Sequence, residues 1–567
     1  MDLPRKSCEH RLHYPLAKFQ IALIPLFDRS FDPRTWKVKI PLPQLKLCLE
    51  SLILSRTRRL TSPWFFVVFG AAYIISVSFL SRASSFQTPS DAWLGCTSTF
   101  WLKDDGCGLN GQSCSPFDNV TYDFRCPAQC SSVVLQNPRV VGIESVDFVP
   151  LLVGGGDDQA TYRGDSFICA AAIQSGLVSN SRGGCASLRL VGNFTDYRPR
   201  SGHGLTSIGF PTIFPSSFRF LPSTPLHHCS DLRNEALALN VLVTCIIFLV
   251  LRPRPIVLFW SLVCIGFWHI TLFSQPRSLP PDISDGIGTF LPVLFIAYAF
   301  WRVAWRFVLP AFSNAPFERM IWYLGPFWVG VLTNLTTDKI PIDRLTASDI
   351  NQQAGGVTSL VIICVVLLFI VINQVRVIRK TGWLPWYAMW YAIGGLVVMV
   401  FALLPTLNLR IHHYILAIVL MPGTAFPTRL SAIYQGLLLG MFLNGAAAFD
   451  LASMFQTAAE LQRDAISGSA LPTFLTNSTT YNASIPLHQQ IISWAPPDGD
   501  WDGFNLLVDD VERYSGAALN YSLAALQEGI PHFFRLAFTS QGSDGDFTMA
   551  ATLWPNGTWV DPPPGGS

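Results

Sequence analysis

His269, together with His412 and His413 in the stretch "RIHHYILAIVLMPG", stands in or beside long apolar runs, and Asp282 and Asp285 follow His269 closely in the chain. Imidazoles and carboxylates are the side chains that hold a divalent metal or relay a proton, and ionisable groups at membrane depth are costly to keep. A weak candidate site therefore lies around His269 and His412 in the outer leaflet, with His413, Asp282 and Asp285 as further ligands. The spacing argues the other way. No HxxxH or HExxH pattern joins these residues, and neighbours on a helix point about 100° apart, so one ion rarely takes both His412 and His413. Interfacial histidines bonded to nearby loops are the commoner arrangement, and no metal or cofactor is expected.

Cysteine offers a second chemistry. Cys96, Cys107, Cys114, Cys126, Cys130, Cys169, Cys185 and Cys229 all fall within residues 92–230, whereas Cys245, Cys264 and Cys364 lie in apolar runs and Cys8 and Cys48 precede the first of them. Eight cysteines in one segment suit up to four disulfides in an oxidising compartment. A zinc or redox reading of "CPAQC" needs a second ligand pair or a reducing compartment and finds neither. Asn119, Asn193, Asn334, Asn477, Asn482, Asn520 and Asn556 head Asn-x-Ser/Thr triplets, which matter only where the chain faces a lumen or the exterior.

The elements that must position these groups are mostly apolar helices. Only 13% of the 567 residues are charged and 50% are hydrophobic, a composition typical of membrane proteins. Runs long enough to cross about 30 Å of hydrocarbon occur at 64–80, 233–251, 256–273, 288–309, 320–334, 357–373, 384–404, 411–427 and 431–448, the eighth being weak and interrupted by Pro422 and Gly423. The first, preceded by Arg56, Arg58 and Arg59, reads as a signal anchor. Residues 1–62 carry twelve Lys/Arg against five Asp/Glu and no sustained period, and read as a mostly disordered basic cytosolic tail. Threading the chain from a cytosolic N-terminus puts Arg252, Arg254, Arg319, Arg376, Arg379, Lys380 and Arg429 inside. Arg277, Lys339, Arg344 and Arg410 fall outside, as do all seven sequons. Gly436 and Gly440, at GxxxG spacing, suit close helix packing in the bundle over 233–448.

Within 92–230 the pattern changes. "GDSFICAAAIQSG" offers a cap at Asp165 or Ser166, a short helix of small residues and a stop at Gly176, and "GGCASLRLVG" alternates like a half-buried strand. The order of these residues resembles the LCCL domain from about Cys107 to Phe220. The resemblance is carried by Cys126-Pro-x-x-Cys130, Tyr162, Ser166, Ile168, Cys169, Ala171, Ala172, Gly176, Gly183, Gly184, Gly192, Tyr197, Gly204, Ser207 and Ser217-Phe218. It implies a helix embraced by β-structure, a Cys130–Cys169 disulfide, and a second from Cys126 to Cys107 or Cys114. It also implies an extracellular module associated with binding, similar to that of multi-pass membrane proteins of fungal type. Gln174 replaces a usual histidine and His203 a usual asparagine, so no ligand role is carried over to either.

Residues 450–567 hold three arginines against thirteen acids. From Ile491 they alternate between strands and turns, with Trp494, Pro496, Pro497, Leu526 and Gly529 placed as in the fibronectin type III domain, which they resemble over 490–562; His532 takes the usual corner tyrosine's place. The expected fold class is a multi-pass α-helical membrane protein of about nine spans (64–80 as anchor, eight over 233–448). It carries an extracytoplasmic α+β LCCL domain and a C-terminal β-sandwich. No nucleophile elbow, P-loop, dinucleotide fingerprint or zincin motif is present, and no nucleic-acid partner is expected. The expected function is recognition of a glycan, lipid or protein ligand on the far side of a plasma or secretory-pathway membrane, with the bilayer itself as the other partner. A membrane enzyme or lipid transporter using the outer-leaflet histidines is the alternative.

Overall fold

The computed structural model describes residues 49–567 apart from 103, 343–349, 352, 405–407, 411, 458–459, 461–464, 498 and 500. Most of the expected basic tail, with Cys8 and Cys48, and also Arg344, lies outside the described residues. The described end of that tail is ordered as a helix over Leu49–Arg56 rather than structureless. The described residues fall into two compact units, those within Met1–Ser85 and Leu232–Ala458, and those within Phe86–Asp231 and Ala459–Ser567.

The first unit is helical. Its long helices are α1 Pro63–Ser85, α2 Arg233–Leu251, α3 Pro255–Ser274, α4 Ile283–Phe312, α5 Pro316–Val331, α6 Gly356–Lys380, α7 Leu384–Ala402, α8 His413–Thr424 and α9 Arg429–Phe449. Among the described residues seven of them are long and apolar enough to cross a membrane. The two that fall short of the nine expected are α5 and α8. α5 has 16 residues, a rise of about 24 Å. α8 stops at the predicted break, where its free carbonyls are capped from three other helices: Gln374 Nε2 donates to the Gly423 carbonyl (2.7 Å), Tyr387 Oη to that of Pro422 (3.2 Å) and Gln435 Nε2 to that of Thr424 (3.1 Å). Side chains here replace the next helical turn as partners for the terminal carbonyls.

α5 and α9 form the tightest pair. Arg429 holds Glu318 (2.7 Å), Tyr323 Oη donates to Gln435 Oε1 (2.9 Å), and Asn444 Nδ2 donates to the Val331 carbonyl (3.0 Å). Residue numbers rise together along these contacts, so the two helices run parallel. Gly436 and Gly440 make the approach possible. A Cβ on Gly436 would come 2.5 Å from the Tyr323 oxygen, and one on Gly440 2.6 Å from the Val331 nitrogen, so backbone touches backbone as small-residue spacing allows. By contrast α1, α6 and α7 leave nearly all of their apolar side chains uncovered.

The second unit holds a four-stranded antiparallel sheet, β1 Thr121–Cys126, β2 Tyr162–Arg163, β3 Gly184–Val191 and β4 Ser217–Leu221, in the order β1-β3-β4-β2. The helix Ile168–Gln174 is wholly buried against its inner face, and the alanines at 170–172 leave room for the strands around it. The four disulfides are Cys96–Cys130, Cys107–Cys114, Cys126–Cys169 and Cys185–Cys229. This pairing replaces the one the resemblance implied. Strand alternation aims Phe124 and Cys126 inward at the helix that carries Cys169, while Arg125 faces Trp93. The chain then turns at Gln129 (φ +68°) and delivers Cys130 to Cys96, which the bridge between Trp93 and Arg125 has brought alongside β1.

The C-terminal part contributes β5 Ile491–Ser493, β6 Gly503–Val508, β7 Val511–Gly516, β8 Asn520–Ser522, β9 His532–Ser540, β10 Ala551–Leu553 and β11 Trp559–Val560. Their sheets are β5-β8 and β7-β6-β9-β10-β11, with Ser543–Asp544 added beside β9. Trp494, Phe504, Leu506, Phe534 and Leu536 pack between them. The module begins earlier than 490, since Phe474 bridges to Trp494 and Asp546 binds the amides of Ser467 and Ser469.

The β6–β7 turn, Asp509-Asp510, has both residues at positive φ (56° and 62°), the two-residue geometry that continues strand twist. The turn does more than reverse the chain. Asp510 accepts from Arg163 Nη1 (2.9 Å), Arg535 Nη1 (2.8 Å) and the Gly142 amide (2.9 Å), while Arg535 Nη2 donates to the Gly142 carbonyl (2.6 Å). Arg163 is fully buried, is gripped by both oxygens of Asp165 (2.9 and 2.6 Å) and lies over the Phe214 ring. Phe210 meets Phe533 edge to face at 5.6 Å. Burial tends to raise the Asp510 pKa, but Arg535 and Arg163, helped by the Gly142 amide, hold the carboxyl below its ordinary value. The two β-modules, remote in sequence, are one packed body.

Candidate ligand-binding groove

β3 turns alternate side chains to its two faces, and on the outward face Ser187 is still buried while Arg189 is exposed. Ala186, Leu188 and Leu190 are buried on the helix side, so Ser187, Arg189 and Val191 face outward. Across the β3–β4 ladder the register sets Arg219 directly opposite Arg189. Beside this pair lies a groove of about 540 Å³ lined by Asp118, Asn119, Gln159, Arg189, Gly192 and Arg219, among others. Arg189 donates to Asn119 Oδ1 (3.3 Å). Arg219 donates through Nε to Thr161 Oγ1 (2.7 Å) and lies 5.5 Å from the Phe194 ring centre.

Gln174 and His203 are structural in this chain. The buried Gln174 accepts from Tyr162 Oη (2.9 Å) and donates to the carbonyls of Arg200 (2.9 Å) and Leu205 (3.2 Å), which pins the hairpin Ser201–Gly202/Leu205–Thr206. His203, at φ +51° in the tip of that hairpin, places Nδ1 3.2 Å from the Gln174 carbonyl. A glutamine with its amide saturated has nothing left for a ligand.

The sequence-derived metal candidates are not brought together. His269 is buried, with Nδ1 3.1 Å from Asn240 Nδ2 and its ring edge-on to Trp328. Asn240 in turn accepts from Tyr73 (2.8 Å), so His269 is part of a polar seam joining α1, α2 and α3. His412 stacks on Tyr414 and His413 opens α8. No hydrogen bond or ring contact among the described residues links either of them to His269. Asp282 caps α4 through the Ser284 amide (2.7 Å), and the Asp285 carbonyl accepts from Arg277. Among the described residues no three His, Cys, Asp or Glu side chains are arranged to hold a metal. The candidate outer-leaflet site therefore dissolves into separate packing and capping roles, because its members sit on different helices and face different neighbours.

Of the sequons, Asn119, Asn193, Asn482, Asn520 and Asn556 are exposed on the second unit, Asn477 is half-buried there, and Asn334 is half-buried in the helical one. Sequence reasoning missed Arg189, Arg219 and Asp510. "LRL" in an alternating strand gives the outward side of Arg189, but only the register supplies its partner.

A disulfide-stapled sheet, a buried small-residue helix and an outward groove define the class: residues 94–217 match the family model of the LCCL domain. Beyond that domain, the chain is 31% identical over 588 residues to the uncharacterized protein YIL067C of Saccharomyces cerevisiae, covering 94% of this chain and 85% of the yeast protein. The chain belongs to the same family as that protein. No solved structure matches it.

Proposed function

We propose that the chain is a multi-pass membrane protein that presents its LCCL domain on the extracytoplasmic side as a ligand-recognition module, with the groove beside Arg189 and Arg219 as the binding site. The observation that carries this reading is the groove itself, an open concavity of mixed polar and apolar lining on a module whose buried Gln174 amide is already saturated. Filling it by bulk tests it. Gly192 does not require positive φ, and a Cβ there meets only Asp118 at 3.4 Å. Gly192→Trp in the full chain is expected to leave folding intact and to abolish retention on a glycan and lipid array; undiminished retention would remove the groove from consideration.

The bilayer accounts for the uncovered apolar helices. In water α1, α6 and α7 would expose continuous Val, Ile, Leu and Phe surface far beyond what soluble proteins tolerate. Parity supports a common side for the two extramembrane modules. The LCCL domain comes after α1, and the C-terminal module is locked to it through buried Arg163 and Asp510. Both therefore lie on one face of the membrane, and the chain between them crosses an even number of times. Six helices by length alone satisfy this, and so do eight with α5 and α8. Because α5 runs parallel to α9 along its length, it crosses as α9 does, and α8 must then cross too. This reading favours the nine-span topology, and the arginines ahead of α1 favour a cytosolic N-terminus. The topology is supported by contacts that join only residues threaded to the same side: Arg252 with Thr57 and Glu318 with Arg429 inside, Arg277 with Asp450 and Tyr414 with Ala452 outside.

Asn193 and Asn556 should both carry endoglycosidase-sensitive glycans, and a flexible acceptor segment inserted after the exposed Lys339 should gain one. A glycan on Asn193 without one on Asn556 breaks the parity argument. A bare insert beside a modified Asn556 reduces the count to seven. The C-terminal module reads as fibronectin type III-like. Its two sheets divide the strands as such a sandwich does, and His532 Nε2 reaches the Gln527 carbonyl (2.8 Å), the back-bond a corner tyrosine makes.

A further inference from the structure

Arg189 and Arg219 are direct cross-strand partners on the outward face of β3 and β4, and like charges in that position destabilise a sheet. Some arginines of the module are balanced by acids. Arg163 has Asp165 and Asp510, and Arg198 has Asp196. Neither Arg189 nor Arg219 has a carboxylate within 4.0 Å among the described residues. What they do have is orientation. Asn119 and Thr161, both neutral, each take one donor, and Phe194 supports the Arg219 guanidinium. The contact to Thr161 uses Nε of Arg219, and that to Asn119 uses Nη2 of Arg189. Each guanidinium therefore keeps donors unengaged by the described residues beside a groove large enough for a sugar-sized molecule. Asp118 is the one acid among the lining residues; Asp157 is engaged with Thr161 (2.7 Å), and Asp123, on the same outward face, with Ser187.

We infer that the groove takes its ligand through a phosphate group held between Arg189 and Arg219. Two guanidinium forks meet the oxygens of a phosphate with charge-assisted hydrogen bonds, and the anion cancels the repulsion built into the register. This rests on the groove being the binding site. The phosphate could belong to a soluble phosphorylated sugar or to a phospholipid headgroup, and the chemistry at the two arginines is the same for both.

The test uses the full chain in phosphatidylcholine nanodiscs, with glucose 6-phosphate, glucose, and phosphatidylcholine vesicles with and without phosphatidic acid as probes. Choline balances the phosphodiester charge of phosphatidylcholine, so glucose 6-phosphate and phosphatidic acid are the two probes that offer a net-anionic phosphate, and only these count as phosphate-bearing. At least one phosphate-bearing probe should bind. Arg189→Ala and Arg219→Ala should each weaken that binding at least about tenfold, and added salt should weaken it in the parent chain. Asp118→Asn, which removes the opposing charge, should strengthen it about two- to threefold. Either alanine variant should be no less stable than the parent, since each relieves a like-charge contact. Binding of glucose 6-phosphate assigns the soluble source, and binding of phosphatidic acid vesicles alone assigns the lipid. The inference is overturned if no phosphate-bearing probe binds, if glucose binds as tightly as its phosphate, or if the double alanine variant keeps its affinity within about twofold. Retention of a neutral glycan that Gly192→Trp removes and the double alanine variant preserves would keep the groove and sink the phosphate.

Discussion

Asp510→Ala is expected to cost the extramembrane unit about 3–5 kcal/mol, the range for removing one partner of a buried ion pair. Arg163, fully buried, loses one of its two carboxylates, Arg535 loses its ion pair with the same group, and the Gly142 amide loses its acceptor. The loss should appear as a lower denaturation midpoint of the full chain and as faster hydrogen exchange at Gly142 and Phe533 together, because those residues lie on the two modules that the turn joins. A cost below about 1 kcal/mol, the value of an exposed pair, would mean that the modules do not depend on the lock. Acid should reproduce the effect only at low pH. The Asp510 pKa is depressed in the folded chain by Arg535 and Arg163 against the opposing effect of burial. Its stabilisation is therefore complete above the unfolded value of about 3.9 and is lost as the pH falls through the folded value. The denaturation midpoint should show no Asp510-linked change between about pH 7 and 5 and an Asp510-linked fall below about 4. In Asp510→Asn that acid-linked fall should be missing. The lock should thus hold at mildly acidic pH.

Gly440→Leu is expected to destabilise the helical unit by about 3 kcal/mol, the upper end for overpacking. Its Cβ would sit 2.6 Å from the Val331 nitrogen and closer still to the Phe327 oxygen, and both are backbone atoms that no rotamer change can move aside. α5 and α9 would have to separate, which pulls on the Asn444–Val331 and Tyr323–Gln435 hydrogen bonds and on the Glu318–Arg429 pair. Gly394→Leu on α7 is the internal control. Nothing lies within 4 Å of a Cβ there, so the same added side chain should be nearly silent. Thermal unfolding of the two detergent-solubilised variants decides the matter: equal midpoints would show that the α5–α9 contact is not what holds the bundle.

Much of this was legible in the sequence. Hydropathy located the seven described helices that are long and apolar enough to cross a membrane, since length and apolar composition are local properties. The eight cysteines of 92–230 do form four bonds, because their clustering reflects compartment and domain size. The signature around Tyr162 and Cys169 announced the LCCL domain for the same reason: those residues build a short helix and its immediate strands. The misreadings have a common cause. Cys126 and Cys130 are four positions apart and either suited Cys169, so the choice fell to strand alternation and the Gln129 turn. The same limit left His269 and His412 as no more than a weak candidate pair beside the commoner reading of separate interfacial histidines: hydropathy gives a similar depth, but depth does not say which helix face meets which.

Composition, spacing and pattern by themselves determined the apolar helices, the oxidised module between α1 and α2, and an acidic β-rich C-terminus. Each of these depends on interactions within a few dozen residues. Tertiary structure alone decided that Arg163 meets Asp510 across 347 positions, that Arg219 faces Arg189 across a ladder, and that α5 runs beside α9. Those pairings are set by register and packing over long separations, where one residue of shift would turn Arg189 inward or set a side chain where Gly440 admits a backbone.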